Sequence, residues 1–567
     1  MSVRRMTAIL LTVVLFVASA PAVALAADPW PAGSYDVSLD IRRVAGQDRY
    51  GTAVETARAG FPGWTGVDHV IVASGDSGSL ADPLTAASLC WAYDAPLLLI
   101  RPDSVPAEVR SALQEMHSVN GTVTVTVVGG TSAVRAPAVA ELEDVVGPGN
   151  VEQPWPAGDR YTLAAGIARR TFEVAAETGR SIPIKAFVAN GTNVAGFSDA
   201  LALSAVSART GVPVLLVERD RVPDATKQAL SALPWGSVFV AGGTAVVSDA
   251  TYAAVGARLR IAGPDRYATA VAVAASARYR GWLVSDTVGF ASTVTDALTG
   301  ATLVGRQGGA ILFVGRDGVP KTTAMYLHGV RDSVTRATLF GGTAVLSSRL
   351  AAEVQGAPTP PHIVTPVPDS RLAKKARVKV ATGVNTAQIK VYAGNTLVAT
   401  RVAPSYATVD LGILPTPPDG HVYRVVYSNP RGAEASGTAR YWRYSYPAAT
   451  SIVIDKSDFR LYFFKDDLFV KSYPIAHGKP STPTPAAIWR IDSKYHTDPK
   501  GVYGPRKMRM YRKIGSSYVR TGYAIHGTNQ PWVIGTRASA GCIRMYNHDV
   551  LELFPQVPLG TIVQTRE

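Results

Sequence analysis

The stretch RVAGQDRYGTAVETA, beginning at Arg43, returns as PWPAGDRYTLAAGIA from Pro154 and as RIAGPDRYATAVAVA from Arg260. The shared Asp-Arg-Tyr cores start at Asp48, Asp159 and Asp265. That spacing of roughly 110 residues is too long for a solenoid unit and is the size of a small domain. Each copy then runs through the same succession. An aspartate-bearing helical segment comes first: SLADPLTAAS with Asp82, GFSDALALSA with Asp199, TVTDALTGAT with Asp296. A short unbroken apolar run follows (APLLLI, VPVLLV, GAILFV), and then a strand ending in Gly-Gly-Thr. Helical patterns alternating with continuous apolar runs predict parallel sheets covered by helices on both faces. Three α/β modules are therefore expected, over residues 43–150, 151–258 and 259–355. The strand-to-Gly-Gly turn has the outline of a phosphate cradle. No G-x-G-x-x-G fingerprint or P-loop lysine accompanies it, so the glycines are read as turn formers.

The repetition ends at a Pro-rich stretch, predicted as a linker over residues 356–369. Beyond it, short alternating runs such as ARVKVAT, AQIKVYAG and VYRVVYSN predict a small immunoglobulin-like β-sandwich over 370–447 that acts as a spacer. Residues 450–566 read as a β-rich domain with one short helix, in YNHDVLELFPQV.

At the other end, Arg4 and Arg5 precede an apolar run and Ala24-Leu25-Ala26 offers a small-x-small cleavage site. This predicts a signal peptide over 1–26, and the run is short of the roughly 20 apolar residues of a membrane span. The expected product is secreted, extracellular and without a stable membrane span. Its charge is uneven. Ser451–Glu567 holds 17 Lys and Arg against nine Asp and Glu, while the long N-terminal region is slightly acidic. A basic surface outside a cell favours anionic wall polymers or lipid headgroups. No nucleic-acid motif is present, and no nucleic-acid partner is expected.

Export permits disulfides, yet the two cysteines, Cys90 and Cys542, lie in segments of different character. Cys90 sits in an apolar run, as a small buried hydrophobe does. Cys542 lies in YAIHGTNQPWVIGTRASAGCIRM, beside Ser539, Ala540 and Gly541. A thiol in that setting works as a nucleophile when a base takes its proton, and His526 is the nearest base. The Gly527 carbonyl would hold the other imidazole nitrogen. The backbone of Ala540, Gly541 and Cys542 would form an oxyanion hole. His477, His496, His526 and His548 show no i, i+3 or i+4 pairing, so neither a metal nor a cofactor is expected.

Two resemblances carry these readings further. The G-x-D-R-Y-x-T-A opening, the D-A-L segment and the GGT-A-V-L-S close resemble the type 2 cell-wall-binding repeat of Gram-positive surface proteins, over about Arg43 to Gln355. The second copy departs from the opening, with Thr162-Leu163 after Tyr161. The resemblance implies non-covalent anchoring to anionic wall polymers. For Arg49, Arg160 and Arg266 two readings stand, polymer binding or an ion pair with the preceding aspartate.

The C-terminal domain resembles the L,D-transpeptidase catalytic domain, or YkuD-type fold. The matching pieces are IVIDKSDFRLYFF, GKPSTPTP, AIHGT, SAGCIRM-x-N and VPLGTIV. That resemblance implies acyl transfer on peptidoglycan stem tetrapeptides, with Cys542 as nucleophile, His526 as base and Gly527 orienting it. D-alanine leaves and a 3→3 cross-link forms. Arg544, Ser539, Tyr523 and Asn529 are the candidate substrate-binding residues, with a structural salt bridge the other reading of Arg544. Two departures stand out: Ala540 where the family more usually has histidine, and Ala487 where glycine is more usual. L,D-carboxypeptidase activity and a non-catalytic wall scaffold are the alternatives.

Overall fold

The computed structural model describes residues 35–155, 157–183, 185–192, 194–233, 236–418, 422–429 and 431–567. The predicted signal peptide lies outside them. The chain divides into two compact units, one reaching to Thr359 and including Asn429–Ala433, the other made of Pro360–Ser428 and Glu434–Glu567.

In the first unit each repeat builds a four-stranded parallel sheet. The central strands, such as His69–Ser74 and Ala186–Asn190, are buried along all or nearly all of their length because helices cover both faces. Helices α1 (Ala87–Tyr93), α2 (Val194–Thr210) and α3 (Val294–Arg306) come one from each repeat and pack against one another. The sheets do not follow the repeat boundaries. Val151–Glu152 completes the first sheet, Ala257–Ile261 the second, and Asp40–Val44, at the head of the first repeat, pairs with Arg336–Phe340 of the third. Each opening strand is thus lent to the preceding module, and the first is lent to the last, which closes a ring.

The recurring Asp-Arg-Tyr core has a local cause. Asp48, Asp159 and Asp265 are N-caps; the first two each accept from two backbone N–H groups of the helix they begin, and Asp265 from that of Ala268. The arginines turn elsewhere. Arg49 and Arg160 each donate at 2.6 Å to a carbonyl, of Gly75 and Gly191. Arg266 donates to the Tyr267 hydroxyl and lies over Phe313. Among the described residues none of the three pairs with its preceding aspartate. The Gly-Gly turn is steric in origin: Gly242 has φ +115°, and a Cβ there would lie 2.8 Å from Asp199 Oδ2.

Asp82 and Asp199 are buried, and burial pushes each carboxyl up to about 7, with Arg160 opposing at Asp82 and a Thr269 hydrogen bond at Asp199. The folded protein therefore keeps protons that the unfolded chain releases near pH 4. Unfolding free energy falls as pH rises from about 4 to about 7 and levels off above. Calorimetry of the whole chain is expected to show the transition of this unit falling by several degrees between pH 5 and pH 8. Asp199→Asn should flatten that slope, and an unchanged slope would contradict the assignment.

The second unit begins with a β-module of two antiparallel sheets. One holds His362–Thr365, Lys375–Ala381 and Thr408–Pro415; the other holds Gln388–Ala393, Thr396–Val402, Val422–Ser428 and Glu434–Arg440. Val378, Val391, Tyr423 and Tyr427 lie in the core between them. The Pro-rich stretch is not all linker, since His362–Thr365 is a strand of this module.

The rest of the unit is a closed β-barrel. Its strands are β1 (Ser451–Asp455), β2 (Arg460–Lys465), β3 (Leu468–Gly478), β4 (Ala487–His496), β5 (Arg506–Ile514), β6 (Ser517–His526), β7 (Arg537–Ser539), β8 (Ile543–Met545) and β9 (Ile562–Arg566). The order β3-β2-β1-β9-β4-β5-β6-β8 closes because β8 also pairs with β3. Trp489, Phe463, Tyr473, Met508, Met510, Ile525 and Ile543 fill the interior. The one helix, α4 (Asn547–Leu553), falls within the predicted segment.

Candidate active site

Strand register builds the site. Parallel pairing of β6 with β8 sets Ile525 beside Ile543 and His526 beside Arg544. Side chains alternate along a strand, so with Ile525 and Ile543 in the core, His526 and Arg544 face outward. Cys542 immediately precedes β8 and falls level with Ala524, on the face that carries His526.

His526 is 3% exposed. Its Nδ1 lies 2.5 Å from the Gly527 carbonyl oxygen. A carbonyl only accepts, so Nδ1 carries the proton and Nε2 keeps its lone pair. Tyr503 stands edge-on to the ring, 5.0 Å between centroids. Burial pulls the His526 pKa down to about 4, opposed by the Gly527 hydrogen bond and aided by the charges of Arg544 and Lys507. Burial pushes the Cys542 thiol up, opposed by a backbone contact at Ala524 and by the same two cations. At neutral pH the pair is therefore a neutral imidazole and a neutral thiol. The thiol faces the Gly522 carbonyl at 3.6 Å rather than the imidazole.

The turn that presents Cys542 is held from within. Ser539 is buried; its Oγ donates to the Cys542 carbonyl at 2.6 Å and accepts the Gly541 N–H at 3.0 Å. Gly541 has φ +109°, and a Cβ there would lie 2.5 Å from Tyr523 Cε1. The loop after β3 braces the turn from outside. Thr484 donates to the Gly541 carbonyl, and Thr482 and the Lys479 N–H donate to that of Ser539.

These contacts revise several expected roles. The Gly541 N–H is engaged by Ser539, which leaves the N–H groups of Ala540 and Cys542 without a partner among the described residues. Ser539 is buried and both of its hydroxyl hydrogen bonds stay within the turn. Tyr523 points inward, against Trp489 at 5.1 Å and beneath Gly541. Asn529 is exposed on the loop after β6. Arg544 forms no ion pair among the described residues; one Nη donates to Gln530 Oε1 at 2.9 Å, and its buried Nε has no partner. His477 is buried against Phe459, with Nε2 3.2 Å from the Lys456 carbonyl. Both cysteines are free. Among the described residues no group of three His, Cys, Asp or Glu is placed to hold a metal ion.

Some contributors escaped the sequence reading. Asn547 accepts the Thr528 N–H at 2.8 Å and packs against Gly504 and Gly527, fixing the backbone that orients His526. Its signal was its place closing the SAGCIRM-x-N run. Thr482 and Thr484 were visible as hydroxyls in a Pro-rich loop. Tyr503 and Lys507 carry no local signal. Ser539→Ala removes two hydrogen bonds that set the Cys542 turn, each worth about 1 kcal/mol. It is expected to slow thiol alkylation and turnover about tenfold, with melting temperature lowered by a few degrees at most.

A family model described as L,D-transpeptidase catalytic domain matches residues 449–564, and one described as cell wall binding domain 2 matches 43–139, 157–252 and 260–351. The chain is 26% identical over 315 residues to the N-acetylmuramoyl-L-alanine amidase LytC of Bacillus subtilis, covering 56% of this chain and 58% of that protein. It is 39% identical over 117 residues to the putative L,D-transpeptidase YkuD of Bacillus licheniformis, covering 21% of this chain and 64% of that protein. The chain thus spans less than two thirds of each of these relatives. Among solved structures, Cwp6 from Clostridium difficile aligns over 61% of this chain and 52% of its own, at 23% identity and a TM-score of 0.48. Among the described residues no helix is long and apolar enough to cross a membrane.

Proposed function

Since this chain belongs to the cell wall binding domain 2 family and carries an L,D-transpeptidase catalytic domain at its C-terminal end, we propose that it is a secreted, wall-anchored L,D-transpeptidase acting on peptidoglycan stems. The repeats hold it to anionic wall polymers, and the middle module is an immunoglobulin-like spacer. The observation that carries the reading is the placement of Cys542 and His526 on one barrel face, with Nδ1 of His526 committed to the Gly527 carbonyl, so that Nε2 is the nitrogen left to act as base.

In this reading Cys542 Sγ attacks the carbonyl between the third and fourth stem residues as its proton passes to His526 Nε2. Charge on the carbonyl oxygen is met by the N–H groups of Cys542 and Ala540. The tetrahedral adduct collapses, the imidazolium gives its proton to the departing amine, and D-alanine leaves a thioester on Cys542. The side-chain amine of a second stem attacks that thioester, losing its proton to His526. The thiol is restored and a 3→3 link is formed. Because the imidazole is neutral at rest, no proton needs to leave it before the first step.

Incubation of the purified protein with disaccharide-tetrapeptides, followed by mass spectrometry, tests the reading. Cross-linked dimers with a thioester at Cys542 are expected. Tripeptide monomers alone would make the protein an L,D-carboxypeptidase, and unchanged substrate would leave a binding scaffold.

A further inference from the structure

Antiparallel register between β5 and β6 sets Lys507 directly opposite His526, and parallel register between β6 and β8 sets Arg544 on its other side. Residues opposite one another share a face and stand about 5 Å apart at Cβ. Lys507, His526 and Arg544 therefore form one row across the barrel face that carries Cys542. Neither cation has an ion-pair partner among the described residues. Four of the domain's nine acids are paired with other cations: Asp455 with Arg566, Glu552 with Lys471, Asp492 with Arg490 and Glu567 with Lys456.

Both cations are nevertheless held in place. The Lys507 ammonium sits 3.4 Å from the centroid of the Tyr503 ring, and Tyr503 packs on His526. Arg544 is tied by one Nη to Gln530 while its buried Nε points at no acceptor. Two like charges beside a buried imidazole and a half-buried thiol are costly unless an anion comes between them. A planar guanidinium and a point ammonium together suit a carboxylate, and such charge-assisted bonds are about twice as strong as neutral ones.

We propose that Lys507 is a substrate-binding residue that joins Arg544 in a two-cation clamp for a carboxylate on the side chain of the third stem residue, the residue whose main-chain carbonyl Cys542 attacks, so that the site selects stems in which that carboxylate is free over stems in which it is amidated. This rests on the transpeptidase reading and supplies its substrate selectivity. Arg509 and Arg520 lie along the same hairpin, so the test must separate the clamp from bulk positive charge.

Synthetic tetrapeptide stems whose third residue carries a side-chain carboxylate, either free or amidated, are turned over by the full-length protein, and the ratio of kcat/KM is compared. The wild type is expected to favour the free acid at least tenfold, mainly through KM. Lys507→Met should lower that ratio at least fivefold, and Lys507→Arg should retain it. Arg512→Gln, which removes an exposed charge at the far end of β5, should leave it unchanged. An equal ratio in wild type and Lys507→Met overturns the clamp while leaving the transpeptidase reading intact. A ratio lowered as much by Arg512→Gln also overturns it, in favour of a diffuse field. Turnover of neither stem by the wild type overturns both readings together.

Discussion

Cys542→Ala is expected to abolish covalent capture. Wild-type protein incubated with a carbapenem or a stem tetrapeptide gains the mass of an acyl group, while the variant gains none and melts at the wild-type temperature. His526→Ala should slow acylation by a hundredfold to ten-thousandfold, the range for loss of a positioned general base. The pH dependence follows from the site. Burial holds His526 down at about 4, so the base is lost only in acid, and kcat/KM should fall below roughly pH 5. Burial also lifts the thiol above its usual range, so activity should be level from about pH 6 to pH 8, without the acid-stable thiolate of an imidazolium–thiolate pair. Alkylation by iodoacetamide at pH 5 comparable to that at pH 8 would contradict this neutral resting state.

Trp489→Ala should be the most destabilising single change in the catalytic barrel. Trp489 is fully buried, fills the interior beside Ile491 and Met510, and donates Nε1–H to Thr565 Oγ1 at 2.9 Å. Truncating such a side chain costs about 3–5 kcal/mol. Its ring also backs Tyr523, which supports Gly541 from below. The cavity therefore reaches the Cys542 turn, and residual folded protein should acylate more slowly than wild type. Denaturant unfolding of this barrel, with acylation rates measured in parallel, checks both effects. A loss of stability with acylation unchanged would show that the turn does not depend on this support.

The proposed nucleophile and base stand out in the sequence because a lone cysteine among small residues and a histidine before glycine are chemically distinctive wherever they fall. What each neighbour does was not legible, because it depends on which way a short strand faces. Ser539 and Tyr523 have the chemistry of ligand-binding residues. The positive φ of Gly541 and the parity of β6 turn both inward, where one holds the turn and the other props it. Lys507 shows the converse. Nothing near it in sequence marks it, and only hairpin register brings it level with His526. The α/β character of the repeats could be read from Val- and Leu-rich runs between helical segments. The exchange of opening strands could not. Asp40–Val44 has the same pattern whether it pairs within its own repeat or in the third, and only closure of the ring decides.

That closure sets an order of events as well as a shape. Arg43 donates to the carbonyls of Gly341 and Leu346, the first across 298 positions of sequence. Within this unit the first of the described strands thus waits for a partner near the unit's end. Until Arg336–Phe340 of the third repeat exists, Asp40–Val44 has no strand to pair with. Contacts of such long separation form slowly, since the loop they close must be immobilised before they contribute. The ring is accordingly an all-or-none object with respect to synthesis: a chain stopped anywhere before residue 340 holds sheets but no circle.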